Sequence, residues 1–278
     1  MRVSLIITTY NWEKALEAVL ISALRQTRLP DEIIVADDGS SDGTGEMVQS
    51  LARLAPVPIL HSWQEDRGFR AALSRNRAIA TSIGDYLVMV DGDMVLEPHF
   101  IADHLAFACP GFFVQGSRVL LGQETSRCLL AGEISAPHPL MRDIGNRKNA
   151  LRLPWLARLL ARRRDGLAGI RTCNFALWRA DALAVNGFDE DFEGWGREDS
   201  EFAARLLNKG MGRRNLRFVA VAWHLHHSGQ SRAGLPANDL LLARTIKEKR
   251  VWCANGLSRH QTMILSSNNN TEPEMSSD

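Results

Sequence analysis

Paired cysteines, net charge and long apolar runs are all scarce in this chain, and each scarcity removes a class of protein. The 278 residues include 4 cysteines, Cys109, Cys128, Cys173 and Cys253. None forms a C-x-x-C pair, so neither a zinc knuckle nor a thioredoxin-type redox motif is present. So few cysteines in a chain this long fit a reducing compartment. The 33 Lys and Arg against 32 Asp and Glu leave a formal net charge of +1. No global field favours nucleic acid, and no nucleic-acid partner is expected. There is no run of about 18 apolar residues, so no spanning helix is expected. The opening MRVSLIITTY is too short in apolar residues to be the core of a secretory leader. The chain reads as cytoplasmic. No internal repeat is visible.

What is present is the pattern of a layered α/β protein. Residues 2–8 are β-branched and apolar, which predicts a buried strand. Residues 12–25 place Leu16, Val19, Leu20, Ala23 and Leu24 on one helical face. Strands follow at 32–36, 57–63 and 85–90, with helices at 44–55 and 68–84 between them. This alternation predicts a mostly parallel central sheet flanked by helices. In such sheets ligands bind beyond the carboxyl ends of the strands. Past Pro98 the pattern weakens. A helix is expected at 99–107, strands at 112–121, 171–178 and 217–223, and a helix at 196–210. Residues 139–166 read as basic and irregular. The chain divides into 1–98, a nucleotide-binding half, and 99–235, an acceptor-binding half of the same domain. A helical segment at 236–260 and a disordered tail at 261–278 complete it.

Four acidic or histidine-rich motifs stand at that edge. In YLVMVDGDMVLEP a buried strand delivers Asp91 and Asp93, separated only by Gly92. Asp and Gly also form plain surface turns. At a strand's carboxyl end, though, two such carboxylates suit one hard cation or its hydration shell. The residues after Asp93 do not continue as an EF-hand. In VADDGSSDGTG neither G-x-G-x-x-G nor a P-loop occurs, so no glycine-rich phosphate cradle is offered. Asp37 and Asp38 offer carboxylates instead, suited to base N–H groups or ribose hydroxyls. That combination points to a nucleotide whose diphosphate is neutralised by the cation. In FEGWGREDSEF, Glu198 and Asp199 begin a helix, where the dipole favours acids in any case. The exposed Trp195 between two glycines adds a platform for a sugar face beside a carboxylate. In WHLHHSG, His224, His226 and His227 follow a strand, and His224 and His226 would share a face if the strand continued.

Together these motifs resemble family 2 glycosyltransferases of the GT-A fold. The resemblance runs through VSLIITTYNWEKALEAVLISALRQTRLPDEIIVADDGSSDGT, FRAALSRNRAIA and YLVMVDGDMVLEP. The later GFDEDFEGWGREDSEFAARLLNKG and AWHLHH are similar to the galactosyltransferase-type module also found in chondroitin polymerases. The resemblance implies an inverting hexosyltransferase that uses a UDP-sugar and Mn²⁺ or Mg²⁺. It places Thr8, Tyr10 and Asn11 around the nucleotide, Asp38 on the base, and Arg70 and Asn76 near the nucleotide and its diphosphate. It places Asp91 and Gly92 by the ribose and metal, with Asp93, Asp91 and His224 as metal ligands. Asp199 becomes the catalytic base, Glu198 holds a sugar, and Trp195 stacks on one. Arg197 stands where the family often has glycine, which puts the acceptor's identity in question. Bacterial enzymes of this kind build lipopolysaccharide and other surface polysaccharides, so a glycan or lipid-linked acceptor is implied. The basic, apolar segment Trp155–Arg164 is either a core-packing helix with a solvated end or a contact with an anionic membrane. A non-catalytic sugar-nucleotide or glycan-binding module and a nucleotidyltransferase are the other function classes. The second would require a glycine-rich triphosphate loop where TTYNWEKA stands.

Overall fold

The computed structural model describes residues 1–229 and 233–260. The tail expected to be disordered lies outside the described residues. The elements run β1 (Val3–Thr9), α1 (Glu13–Leu24), β2 (Glu32–Asp37), α2 (Thr44–Leu54), β3 (Ile59–Trp63), α3 (Ala71–Thr81), β4 (Tyr86–Asp91), β5 (Met94–Leu96) and α4 (Phe100–Phe107). They continue with β6 (Phe112–Gln115), β7 (Val119–Leu121), α5 (Gln123–Leu130), β8 (Ile144–Gly145), α6 (Pro154–Leu160), β9 (Arg163–Arg164) and β10 (Asn174–Trp178). The last are α7 (Arg179–Ala184), α8 (Glu198–Asn208), β11 (Gly212–Asn215), β12 (Ala222–His224) and α9 (Leu235–Lys247).

The main sheet has the order β3-β2-β1-β4-β10-β6-β11-β9. Its first four strands are parallel, as their unbroken apolar runs predict. The period of two sends Leu5, Ile7, Val35, Val88 and Val90 to one apolar layer, with Leu16 and Val19 of α1. Ile6, Ile34, Ala36, Leu87 and Met89 go to the other, with Ile79 of α3 and Phe202 of α8. Helices therefore cover both faces. β10 then enters antiparallel between β4 and β6, so the second half of the sheet is mixed.

A second sheet, β5-β12-β7-β8, stands beyond β4. The single strand expected at 112–121 is two strands, one in each sheet. The break falls at Gly116, where a Cβ would lie 2.1 Å from the Asn174 side chain. The strand expected at 217–223 shrinks to β12, because Phe218 (φ 64°) and Ala220 (φ 49°) are left-handed. The polar β11 carries no apolar alternation; it pairs with β6 through the backbone and lays Arg214 over the Phe112 ring.

Candidate active site

Register brings the functional residues onto one edge of the main sheet. Thr8 on β1 pairs with Ala36 on β2 and with Asp91 on β4. Asn174, at the start of the antiparallel β10, pairs with Val90. Residues 171–173 therefore sit at the same edge as Asp91. In the smaller sheet, His224 pairs with Met94, and the Leu225 N–H donates to the Asp93 carbonyl at 2.9 Å. That short pairing seats the WHLHH segment beside the DGD turn.

Asp93, His224 and His227 form the acidic turn's histidine cluster. Nε2 of His224 lies 3.3 Å and Nε2 of His227 3.2 Å from Oδ2 of Asp93. The two Nε2 atoms are 3.3 Å apart. One donor atom from each residue falls within 4.8 Å of the others, and Oδ1 of Asp93 is buried without a partner. Three convergent donors and an orphaned buried oxygen fit a single divalent cation, and two imidazoles favour a first-row transition ion over Mg²⁺. Burial pushes His224 down to about 4, which keeps it in the neutral, ligating form. The hydrogen bond with Asp93 holds His227 above its ordinary value. His226 is exposed and outside this cluster, and its backbone N–H donates to Ser126 Oγ at 2.8 Å. The shared strand face of His224 and His226 is not formed, because β12 ends at His224. Asp91 stands outside this cluster and faces a guanidinium.

That guanidinium belongs to Arg75 of α3, which the sequence reading passed over in favour of its neighbours. Arg75 is 4% exposed. It lies 3.5 Å from Asp91, 3.2 Å from Glu198 and 3.4 Å from Asp199, and its Nε donates to Thr8 Oγ1 at 3.2 Å. Burial works against its charge, but Asp199, Glu198 and Asp91 hold its pKa above the usual arginine value. The sequence signal was indirect: three carboxylates delivered to one place require a cation. Glu198 is buried, and desolvation, reinforced by the Asp199 charge, pushes it up to about 7. Asp199 is more open, with 21% of its side chain exposed. Its carboxylate accepts from Thr172 Oγ1 at 2.7 Å and from the Thr172 N–H at 3.0 Å. Thr172 thus fixes the rotamer of Asp199 and leaves lone pairs free, a second contribution not visible in sequence.

On the other side of Thr8 the two consecutive aspartates divide their work. Asp37 shapes its own loop, accepting from the Gly39 and Ser40 N–H groups and pairing with His61 at 2.8 Å. Burial opposes its charge, yet His61 and Ser40 hold its carboxyl below the usual range. Asp38 is held by Gln64 at 2.6 Å and by the Arg70 N–H at 2.7 Å, and burial pushes it up to about 6. Arg70 itself caps the Glu65 carbonyl at 2.5 Å. Tyr10 is exposed and donates to Asp66 at 2.9 Å. Asn11 is left-handed (φ 44°) and braces the facing loop through Ser40 and Ser41. Gly92 donates its N–H to the Thr8 carbonyl at 2.7 Å, and a Cβ there would lie 3.0 Å from that oxygen.

Asn76 does not join the site. It is fully buried, donates to the Phe188 carbonyl and to Glu190 at 2.8 Å each, and accepts from the Phe188 N–H at 2.8 Å. With both ends of its amide engaged it clamps α3 to the 188–190 turn and has nothing left for a diphosphate. Trp195 is 38% exposed between left-handed Gly194 (φ 73°) and Gly196 (φ 104°). Arg197 is left-handed as well (φ 81°), which explains why glycine suits this position. Its Nε reaches Asp239 of α9 at 2.5 Å, so its guanidinium ties α9 to the Trp195 loop.

With this geometry the chain belongs to glycosyl transferase family 2, whose family model matches residues 4–186. A model described as the N-terminal domain of galactosyltransferase matches residues 159–228. Among relatives, the chain is 32% identical over 229 residues to validoxylamine A glucosyltransferase of Streptomyces hygroscopicus subsp. limoneus, covering 75% of this chain and 48% of that protein. It is 27% identical over 247 residues to chondroitin synthase of Escherichia coli, covering 82% of this chain and 35% of that one. The chain thus spans half or less of these relatives. The fold is GT-A, as the resemblance implied. The crystal structure of S. aureus TarS 1–349 in complex with UDP-GlcNAc superposes with a TM-score of 0.61 at 18% identity, over 97% of this chain and 72% of that one.

Proposed function

We propose that the protein is a metal-dependent, inverting glycosyltransferase that moves a hexose or N-acetylhexosamine from a UDP-sugar to a hydroxyl of a glycan or lipid-linked acceptor. The observation that carries this reading is the row along one sheet edge: Asp38, Thr8, the Asp93–His224–His227 cluster, then Asp199 held by Thr172. A UDP-GlcNAc complex of a protein with the same fold and a glucosyltransferase among the relatives agree with it.

Asp38 accepts from the base, and Thr8, Tyr10 and Asn11 border the nucleotide. Asp93, His224 and His227 would hold Mn²⁺, and the ion, when bound, would supply positive charge against the diphosphate. Asp199 takes the proton of the acceptor hydroxyl as that oxygen attacks the anomeric carbon from the opposite face. The C1–O bond to UDP breaks as the new C1–O bond forms, so the configuration inverts. Arg75 lies among Asp91, Glu198 and Asp199 and holds their carboxylates in place, and Trp195 offers its indole to a sugar face. The test is UDP release from a panel of UDP-sugars with Mn²⁺ and with EDTA. EDTA-sensitive release from one donor is expected. No release and no UDP binding would replace this reading by that of a non-catalytic module.

The setting is surface-glycan synthesis at the cytoplasmic face of a membrane. No helix of the described residues is long and apolar enough to cross one. α6 buries only Ala157 and leaves Trp155, Leu159 and Leu160 exposed beside Arg158 and Arg162. That ridge does not pack a core and suits an anionic lipid surface. Binding to anionic vesicles that is unchanged in Trp155→Ser/Leu159→Ser would remove it.

A further inference from the structure

Beyond the candidate base, the same edge opens into a cavity of about 250 Å³. Its lining includes Arg118, Arg171, Arg213 and Arg217 with Gln115 and Asn215, and no Asp or Glu. Among the described residues the side chains of Arg118, Arg171 and Arg217 form no ion pair and no hydrogen bond. Arg213 is 4% exposed and donates through Nη1 to the Gly166 and Ala168 carbonyls, both at 2.9 Å. Its Nε is buried with no partner, as is Oδ1 of Asn215. A buried guanidinium is ordinarily matched by a carboxylate. Four guanidiniums around one cavity without an acid leave a charge that the protein itself does not neutralise.

We infer that this cavity is an acceptor subsite for an anionic group, a carboxylate or a phosphate ester, carried by the glycan that receives the sugar. The inference rests on the glycosyltransferase reading. Strand order assigns the anion to the acceptor. Along the edge the sequence is Asp38 after β2, Thr8 on β1, Asp91 to Asp93 after β4, Thr172 before β10, Gln115 to Arg118 after β6, and Asn215 to Arg217 after β11. The base-binding aspartate and the guanidinium cavity thus lie on opposite sides of the metal cluster and of Asp199. Arg171 directly precedes Thr172, the residue that holds Asp199. An acceptor whose hydroxyl reaches Asp199 can therefore set a neighbouring anion among these arginines, whose planar forks match carboxylate and phosphate oxygens. Unpaired Oδ1 of Asn215 can accept from a hydroxyl of the same sugar. Neutral acceptors leave the arginines uncompensated, so the cavity selects against them.

The test is calorimetric titration of the Mn²⁺- and UDP-loaded protein with matched pairs: glucuronate against glucose, and glycerol 3-phosphate against glycerol. Arg171→Gln/Arg217→Gln is the variant, since both side chains are exposed and their loss spares the core. The wild type is expected to bind the anion of at least one pair and not its neutral partner. The pair that responds tells carboxylate from phosphate. The variant is expected to bind that anion about tenfold or more weakly, with UDP affinity retained as the sign of an intact fold. Equal treatment of charged and neutral partners, or a variant indistinguishable from wild type, overturns the inference. A loss confined to UDP or to UDP-glucuronate places the anion on the donor and overturns the acceptor assignment. Protein that takes up the anions yet neither binds UDP nor releases it overturns the glycosyltransferase reading, and with it the acceptor assignment, by a separate readout.

Discussion

The acidic stretch and the basic stretch of the site edge solve the problem of buried charge in opposite ways. Around β4 the carboxylates of Asp91, Glu198 and Asp199 share one internal cation, Arg75. Asp93 adds two imidazoles able to share a metal. Around β6 and β11 the guanidiniums of Arg118, Arg171, Arg213 and Arg217 have no acidic partner among the described residues. The difference teaches where the protein is complete and where it awaits something. The acidic stretch carries its own counter-charge in Arg75, whereas under the acceptor inference the basic stretch takes its counter-charge from a ligand.

The comparison breaks most severely if Arg75 is removed. Arg75→Met leaves buried Glu198 and its neighbours Asp91 and Asp199 without their shared cation, and denaturant titration should show a loss of about 3–5 kcal/mol. Stability within 1 kcal/mol of wild type would mean that water or a bound cation already screens those acids. Next in size is Asp199→Asn, whose amide oxygen can still accept from the Thr172 N–H while its NH2 donates to Thr172 Oγ1 in place of the present O–H donation, and which removes the proton acceptor. Transfer should fall by about 10²–10⁴ with UDP affinity retained; normal turnover would move the base elsewhere, Glu198 first. The histidines sharpen the metal side. His227→Ala should weaken Mn²⁺-dependent UDP binding by about tenfold or more, a loss of roughly the size a charge-assisted contact supplies, while His226→Ala should leave it unchanged. Equal effects of the two substitutions would dissolve the cluster as drawn.

The smallest effect concerns Asp38. Burial lifts its folded pKa to about 6, above the ordinary aspartate value of 3.8. The folded state therefore holds this proton more tightly than the unfolded one. Its contribution to stability is fully present below about 3.8 and is lost as pH rises through about 6. A base that donates to Asp38 needs the charged form, so UDP affinity should run the other way. It should fall by up to about tenfold per pH unit below the folded pKa. Asp38→Asn should flatten both trends, and a UDP affinity independent of pH between 5 and 7 would take the base away from Asp38.

The parallel half of the sheet was legible because its strands are buried on both faces and read as unbroken apolar runs. β1, β2 and β4 fall where those runs lie. Asp38, Asp91 and Asp93 were legible because acids rarely end such runs without reason, and Glu198 and Asp199 because they open a helix beside Trp195. The second half hid for specific physical causes. β11, Gly212–Asn215, is polar and recognisable only by its backbone partner. Phe218 and Ala220 break an apparent strand through left-handed backbone that no side-chain pattern announces. Asn76 and Arg75 are neighbours on one helix, and only the rotation of α3 decides which of them meets the site. His227 meets Asp93 because β12 stops at His224, so the alternation that would set His226 beside His224 does not continue.

The insertion of β10 between β4 and β6 also bears on how the molecule is made. While a nascent chain has only its first hundred residues, β4 carries an unpaired apolar edge, since its outer neighbour, Asn174–Trp178, has not yet been synthesised. Exposed strand edges of this kind are where partly made chains stick to one another. Some eighty further residues must leave the ribosome before that edge can close. The first four strands thus become safe from self-association only when the strand that leads from Thr172 arrives, and Asp199 follows it on α8.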